Sequence, residues 1–112
     1  MLLAGEPLVL RPAEKGDVNY VKSTWLRSAK DLSRMPKDRF FRFMRPAVEA
    51  DITRGDVLVA TLEDSPNTIL GWACFRDGAL RWAYTDFSLR KQGIFTFIRD
   101  QYEQAEKDAS EA

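Results

Sequence analysis

The chain has no histidine among its 112 residues. That removes the side chain most often used as a general base near neutral pH, and the commonest imidazole metal ligand. It has one cysteine, Cys74, so neither an internal disulfide nor a cysteine-rich zinc site can form. The neighbours Trp72, Ala73 and Phe75 place that thiol in an apolar strand, where cysteine acts as a small buried hydrophobe. Net charge is absent as well: 17 Lys and Arg balance 17 Asp and Glu. A zero balance argues against bulk attraction to nucleic acid or to an anionic membrane. No apolar run approaches membrane-spanning length, and residues 1–4 are too short for a signal peptide before Glu6 and Pro7 interrupt them. The default expectation is one soluble cytoplasmic domain over residues 1–112.

Hydrophobic residues make up 45% of the chain, enough for a core. Leu8-Val9-Leu10-Arg11 reads as a strand that ends at Pro12. Asp17 is a candidate N-cap for a helix with Val18, Val21, Trp25 and Ala29 on one face. A second helix over 37–54 carries Phe40, Phe41, Met44, Val48 and Ile52, with Pro46 predicting a kink or a restart and Gly55 a stop. Three strands follow over 56–63, 68–76 and 79–85. The first is apolar on both faces, Gly71 in the second marks a bulge or close contact, and Asp77-Gly78 marks a hairpin. The final helix starts near Gly93, with Ile94, Phe97, Ile98, Tyr102 and Ala105 as its buried stripe and a polar, frayed tail over 107–112. The expected fold is α+β in three layers: a mostly antiparallel mixed sheet of about four strands, helices on both faces, order β-α-α-β-β-β-α.

The segment Tyr84-Thr85-Asp86-Phe87-Ser88-Leu89-Arg90-Lys91-Gln92-Gly93-Ile94 runs from a strand through a short basic loop into a helix. The first N–H groups of a helix have no partner in the chain, so such a turn makes an anion site, here reinforced by Arg90 and Lys91. A phosphate group is the expected occupant.

Element order and loop together resemble the GNAT superfamily of acetyl-CoA-dependent N-acetyltransferases. Leu8-Val9-Leu10-Arg11-Pro12-Ala13 with Asp17 resembles its first strand and helix, and Asp56-Val57-Leu58-Val59-Ala60 and Thr68-Ile69-Leu70-Gly71-Trp72 its next two strands. Arg90-Lys91-Gln92-Gly93-Ile94 resembles its acetyl-CoA signature. The overall character is similar to that of small GNAT-like proteins of bacteriophages. The resemblance implies that acetyl-CoA is a co-substrate. Its pyrophosphate would lie on the amides of Lys91, Gln92, Gly93, Ile94 and Phe95, Arg90 would pin a phosphate, and its pantetheine arm would pair with Ala83, Tyr84 and Thr85. The acceptor would be an amine on a small molecule or a protein. The chemistry would need positioning and oxyanion stabilisation, with no covalent intermediate and no metal.

The sequence departs from the pattern in two places. Phe95 stands where the family has glycine or alanine, and its ring either blocks the phosphates or points into the core. The family continues past this helix with another strand and helix, and the polar residues after Tyr102 offer no counterpart. The strand at 79–85 is then expected to be a sheet edge, covered by a second copy or another protein. Tyr84 and Tyr102 do not match the family's acid, so the catalytic residues are unassigned. Asp86, Glu63 or a water chain could act as base, with Asp86 read first as a turn or cap residue. The basic, phenylalanine-rich segment 22–54 reads as solvated helix faces, which favours an acidic acceptor over nucleic acid. The alternative to an enzyme is a GNAT-derived binding or inhibitor protein without catalysis.

Overall fold

The computed structural model describes residues 1–111, and in it the period-two segments form one five-stranded antiparallel sheet. Strands β1 (Leu2–Leu3), β2 (Glu6–Pro12), β3 (Asp56–Leu62), β4 (Gly71–Arg76) and β5 (Ala79–Thr85) lie side by side in chain order. Helices α1 (Val18–Asp31) and α2 (Lys37–Arg54) pack on one face and α3 (Ile94–Glu111) on the other. This is the expected α+β fold with helices on both sides. No described helix is long and apolar enough to cross a membrane.

Alternation along the inner strands decides the two cores. Val57, Val59, Trp72 and Cys74 are buried with Val21, Trp25, Phe40 and Val48 of α1 and α2. Their neighbours Ala60, Ala73 and Phe75 are buried with Ile94, Ile98 and Tyr102 of α3, where the Phe75 and Tyr102 rings stack at 3.8 Å. Small residues on the α3 side let that helix come close: a Cβ on Gly71 would stand 3.1 Å from Ile94 Cγ2 and 3.0 Å from Tyr84 O. Gly71 is therefore a point of close contact, while the register shift falls between Cys74 and Phe75.

Several expectations need correction. No strand in the sheet is parallel to its neighbour, and β1 adds a fifth strand. The hairpin between β1 and β2 turns at Ala4 and Gly5, both at positive φ, a turn type usually signalled by Asn-Gly or Asp-Gly. Helix α2 runs through Pro46 as one helix. The side chains of Pro46 and Arg42 are exposed, so water can serve the carbonyl that proline leaves without a donor. β4 begins at Gly71, not at residue 68. Ala105 is exposed, because the buried stripe of α3 ends at Tyr102. Residues 107–111 stay helical, helped by a 2.9 Å bond from Gln104 Nε2 to Asp108 Oδ1 one turn on, and Ala112 lies outside the described residues.

Asp17 sits at the N-cap position of α1 but makes no side-chain cap bond there. Its carboxylate accepts the Glu14 N–H at 2.7 Å and a two-pronged contact from Arg11 at 2.6 and 3.3 Å. Arg11 also donates to Pro66 O at 3.0 Å, so one guanidinium joins β2, the turn before α1 and the loop after β3. The Arg11 hydrogen bond holds the Asp17 carboxyl below its ordinary value. A lowered folded-state pKa stabilises the fold above the unfolded value of 3.8, and this is lost as pH falls through the folded value. Asp17→Asn should cost about 1.5 kcal/mol at pH 7 in urea melts. The gap from the parent chain should close below pH 3.8, and a gap that stayed constant with pH would contradict the assignment.

Candidate functional site

The corner between β5 and α3 is built from backbone first. Asp86 N–H donates to Leu70 O at 2.9 Å, which turns that amide toward β4 and the Thr85 carbonyl away from it. Alternation then points the backbone groups of Ala83 and Thr85 out of the sheet. They belong to β5, which has a partner on one side only. After β5 the Asp86 carboxylate accepts the Ser88 N–H at 3.1 Å and the Ser88 hydroxyl at 2.8 Å, closing a short 3-10 turn over Phe87–Leu89. Asp86 is thus a capping residue, occupied by its own turn. Glu63 is exposed just past the end of β3.

The loop then places Lys91 at φ 69° and Gly93 at φ 85° before α3 begins at Ile94. The first helical bond runs from Phe97 N–H to Gly93 O at 2.9 Å. The amides of Ile94, Phe95 and Thr96 precede it and, among the described residues, find no acceptor. Lys91, Gln92 and Gly93 are exposed, and a shallow hollow of about 180 Å³ beside the helix start is lined by Thr85, Arg90, Lys91, Gly93 and Thr96. The Met1 methyl carbon would lie 3.5 Å from a Cβ on Gly93, so the N-terminal residue borders this hollow.

Ile94 is buried and faces the core, so of the loop motif only its main chain is available to a ligand. Phe95 is half-buried. Its ring packs partly against the α3 core and also lines a groove of about 420 Å³ with Trp82, Ala83, Tyr84, Thr85 and Arg90. The ring is therefore at the wall of the corner, neither wholly in the core nor standing free over the amides. Arg90 does not reach forward. Its Nε donates to Thr85 O at 3.2 Å and its guanidinium lies 5.8 Å from the Tyr84 ring centre and 5.2 Å from that of Phe87. It is exposed and held by one hydrogen bond and two ring faces, so it can swing away at small cost.

The structure thus brings Ala83, Tyr84, Thr85, Arg90, Lys91, Gln92, Gly93, Ile94 and Phe95 to one corner. It adds residues the motif did not reveal: Ser28, Asp31 and Leu32 at the end of α1 complete the groove wall. Ser28 and Leu32 stand three and seven residues after buried Trp25, a helical spacing that could have indicated them. Tyr20 meets Tyr84 edge-on at 6.4 Å, and burial raises its phenol pKa, followed in effect by Tyr84 and Asp86. A phenol so placed keeps its proton at neutral pH. Tyr102 lies further along α3, stacked on Phe75 and away from the corner. A larger cavity of about 610 Å³ opens at the other end of β3, lined by Leu10, Ile52, Val57 and Tyr102, and holds none of the loop residues.

No protein-family model matches the chain, and no curated protein does. Among solved structures, the crystal structure of a possible acetyltransferase from Clostridium difficile 630 superposes with a TM-score of 0.65. The match covers 89% of this chain and 71% of that one at 16% sequence identity. At that identity the likeness establishes a shared fold.

Proposed function

We propose that the corner between β5 and α3 holds the diphosphate and pantetheine of acetyl-CoA, and that the chain transfers the acetyl group to an amine. The observation that carries this reading is the adjacency of two sets of backbone groups without a main-chain partner, of which only the Thr85 carbonyl is occupied, by the Arg90 side chain at 3.2 Å. The amides of Ile94, Phe95 and Thr96 suit a diphosphate, and the outward groups of Ala83 and Thr85 suit the amides of an extended arm. Arg90 and Lys91 supply positive charge between them. In the transfer, the amine nitrogen attacks the thioester carbonyl carbon and the C–S bond breaks. The nitrogen gives up a proton and the departing thiolate takes one, so the products are an amide and the free thiol. Tyr20 and Tyr84, on the α1 side of the same strand end, flank the region where the amine would approach. The basic exposed positions Arg39, Arg42 and Arg45 on α2 favour an acidic acceptor.

The second reading, a non-catalytic binding protein of the same fold, is favoured by the Arg90 side chain lying over the Thr85 carbonyl. The two separate in a thermal melt with acetyl-CoA. At a ligand concentration of about 100 Kd, binding should stabilise the fold by about 2.7 kcal/mol. Arg90→Glu should weaken that shift while leaving the unliganded melt nearly unchanged, because the side chain is exposed. A melt indifferent to millimolar acetyl-CoA would rule out the transferase and leave the binding protein.

A further inference from the structure

We infer that the cavity of about 610 Å³ at the far end of β3 is a second ligand site, and that its ligand is a small apolar molecule carrying a protonated amine. Small-molecule sites usually measure about 300–1,000 Å³, and this one falls in that range. It forms where the packed face of α3 runs out of large side chains. Ile94, Ile98 and Tyr102 recur at helical spacing and are buried against the sheet. Ala105 continues that face, lines the cavity and is exposed, so a methyl group stands where the stripe would otherwise place a larger side chain. Leu10, Ile52 and Leu58 also line the cavity and are only half-buried. The sheet is incomplete at this point. β2 stops at Pro12, opposite Leu58, and Ala13 N–H donates to Val57 O at 2.8 Å as the chain leaves for α1. Asp56 is therefore paired on the β4 side alone.

The charge of the ligand follows from the polar groups on the wall. Alternation puts Asp56 on the same face of the sheet as Leu58, which is the face that α3 covers, and Glu106 comes from α3 itself, next to Ala105. Both carboxylates are exposed, and neither is in an ion pair among the described residues. Among the described residues no lysine or arginine lines the cavity. The two acids also act on one point of the wall: burial raises the pKa of the Tyr102 phenol, and the charges of Glu106 and then Asp56 raise it further. Two carboxylates without a cation beside an apolar floor match an ammonium group on an apolar body. The body takes the surface of Leu10 and Leu58 out of water, and the ammonium relieves the repulsion between the acids. An anion would meet both charges unopposed, and a neutral molecule would gain the floor alone. The site does not depend on the acetyl-CoA reading, because it shares no lining residue with the β5–α3 corner.

The test is an NMR titration of the isotope-labelled chain near neutral pH with phenethylammonium, using phenylpropionate and phenethyl alcohol as the anionic and neutral molecules of similar shape. Phenethylammonium should bind with a Kd of about 1 millimolar and shift the amide signals of Val57, Leu58, Tyr102 and Ala105. The alcohol should bind about fivefold more weakly and phenylpropionate more weakly still. Asp56→Asn combined with Glu106→Gln should weaken the ammonium about fivefold and leave the alcohol unchanged. Both side chains are exposed, so this variant keeps the fold and carries the charge test by itself. Ala105→Trp fills the cavity from an exposed position and should abolish binding of ammonium and alcohol alike. No binding of the ammonium at about 10 millimolar, equal affinity for ammonium and phenylpropionate, or ammonium binding untouched by the double neutralisation would each overturn the inference. So would signal changes confined to Thr85, Arg90 and Phe95, which would mark the amine as an acceptor at the β5–α3 corner instead.

Discussion

Trp72→Ala should remove about 3–5 kcal/mol of stability, the largest loss expected from any single substitution in this chain. Trp72 is wholly buried in β4, between Trp25 of α1 at 5.5 Å and Tyr84 of β5 at 6.4 Å between ring centres. Its Nε1–H donates to Thr24 Oγ1 at 2.8 Å, and that hydroxyl donates in turn to Tyr20 O at 2.7 Å. One turn along α1, the Trp82 Nε1–H donates to Ser28 Oγ at 2.9 Å. Two indoles on adjacent strands thus fasten α1 to the sheet through hydroxyls four residues apart. Removing the first indole leaves a cavity that neighbouring Trp25 and Tyr84 can only partly fill. In a domain this small, stability totals about 5–15 kcal/mol, so the variant should melt on the order of 15 °C lower. Trp72→Phe keeps one packed ring and loses the donor together with part of the indole's buried volume. Thr24 still donates to Tyr20, so no donor is orphaned, and the cost should be about 1–2 kcal/mol. Urea melts of the two variants decide the matter: equal losses would mean that the hydrogen bond, not the packed ring, anchors α1.

The same residues explain why much of the fold was legible. β3 and β4 are apolar at both alternating positions because helices cover both faces, and that continuous pattern is visible in Val57-Leu58-Val59-Ala60. Asp77-Gly78 adopts positive φ at both residues, as its composition demands, and fixes the β4–β5 hairpin. Ala4-Gly5 makes the same kind of turn with alanine in the first position, so β1 gave no such signal. The loop motif was readable because glycine before an apolar helical stripe has few other uses. Its neighbours were less so. Helical spacing from Trp25 marks the face that carries Ser28 and Leu32, but which strand that face, Asp31 and Tyr20 meet is decided by tertiary packing of α1 on β5, and Phe95 lies at the wall because the groove continues past the core. The posture of Arg90, folded back onto Thr85, depends on a main-chain carbonyl that faces outward, which no side-chain pattern records.

Gly55 shows how a correct boundary can rest on a different cause, and its substitution is the second large effect expected. A glycine after a helix suggests a left-handed cap, yet Gly55 has φ −97° and ψ 171°, an extended conformation open to any residue. Space, not conformation, excludes a side chain. A Cβ there would lie 2.7 Å from Cys74 Sγ and 2.8 Å from both Asp51 O and Phe75 O. The Asp51 carbonyl is fixed by the Gly55 N–H at 2.8 Å, and Phe75 is paired with Asp56 in the sheet. Neither oxygen can retreat without parting the end of α2 from β3 and β4. Gly55→Ala should therefore cost about 3 kcal/mol, the upper part of the usual overpacking range. The sulfur is the one neighbour that can be removed. Cys74→Ala in the Gly55→Ala background relieves that contact but leaves both oxygens, so a double-mutant cycle should recover only a minor share of the loss. Near-complete recovery would locate the constraint in the thiol. In that case β3 and α2 would meet less tightly than the carbonyl contacts require, and the sheet's grip on the helix pair would rest on side chains alone.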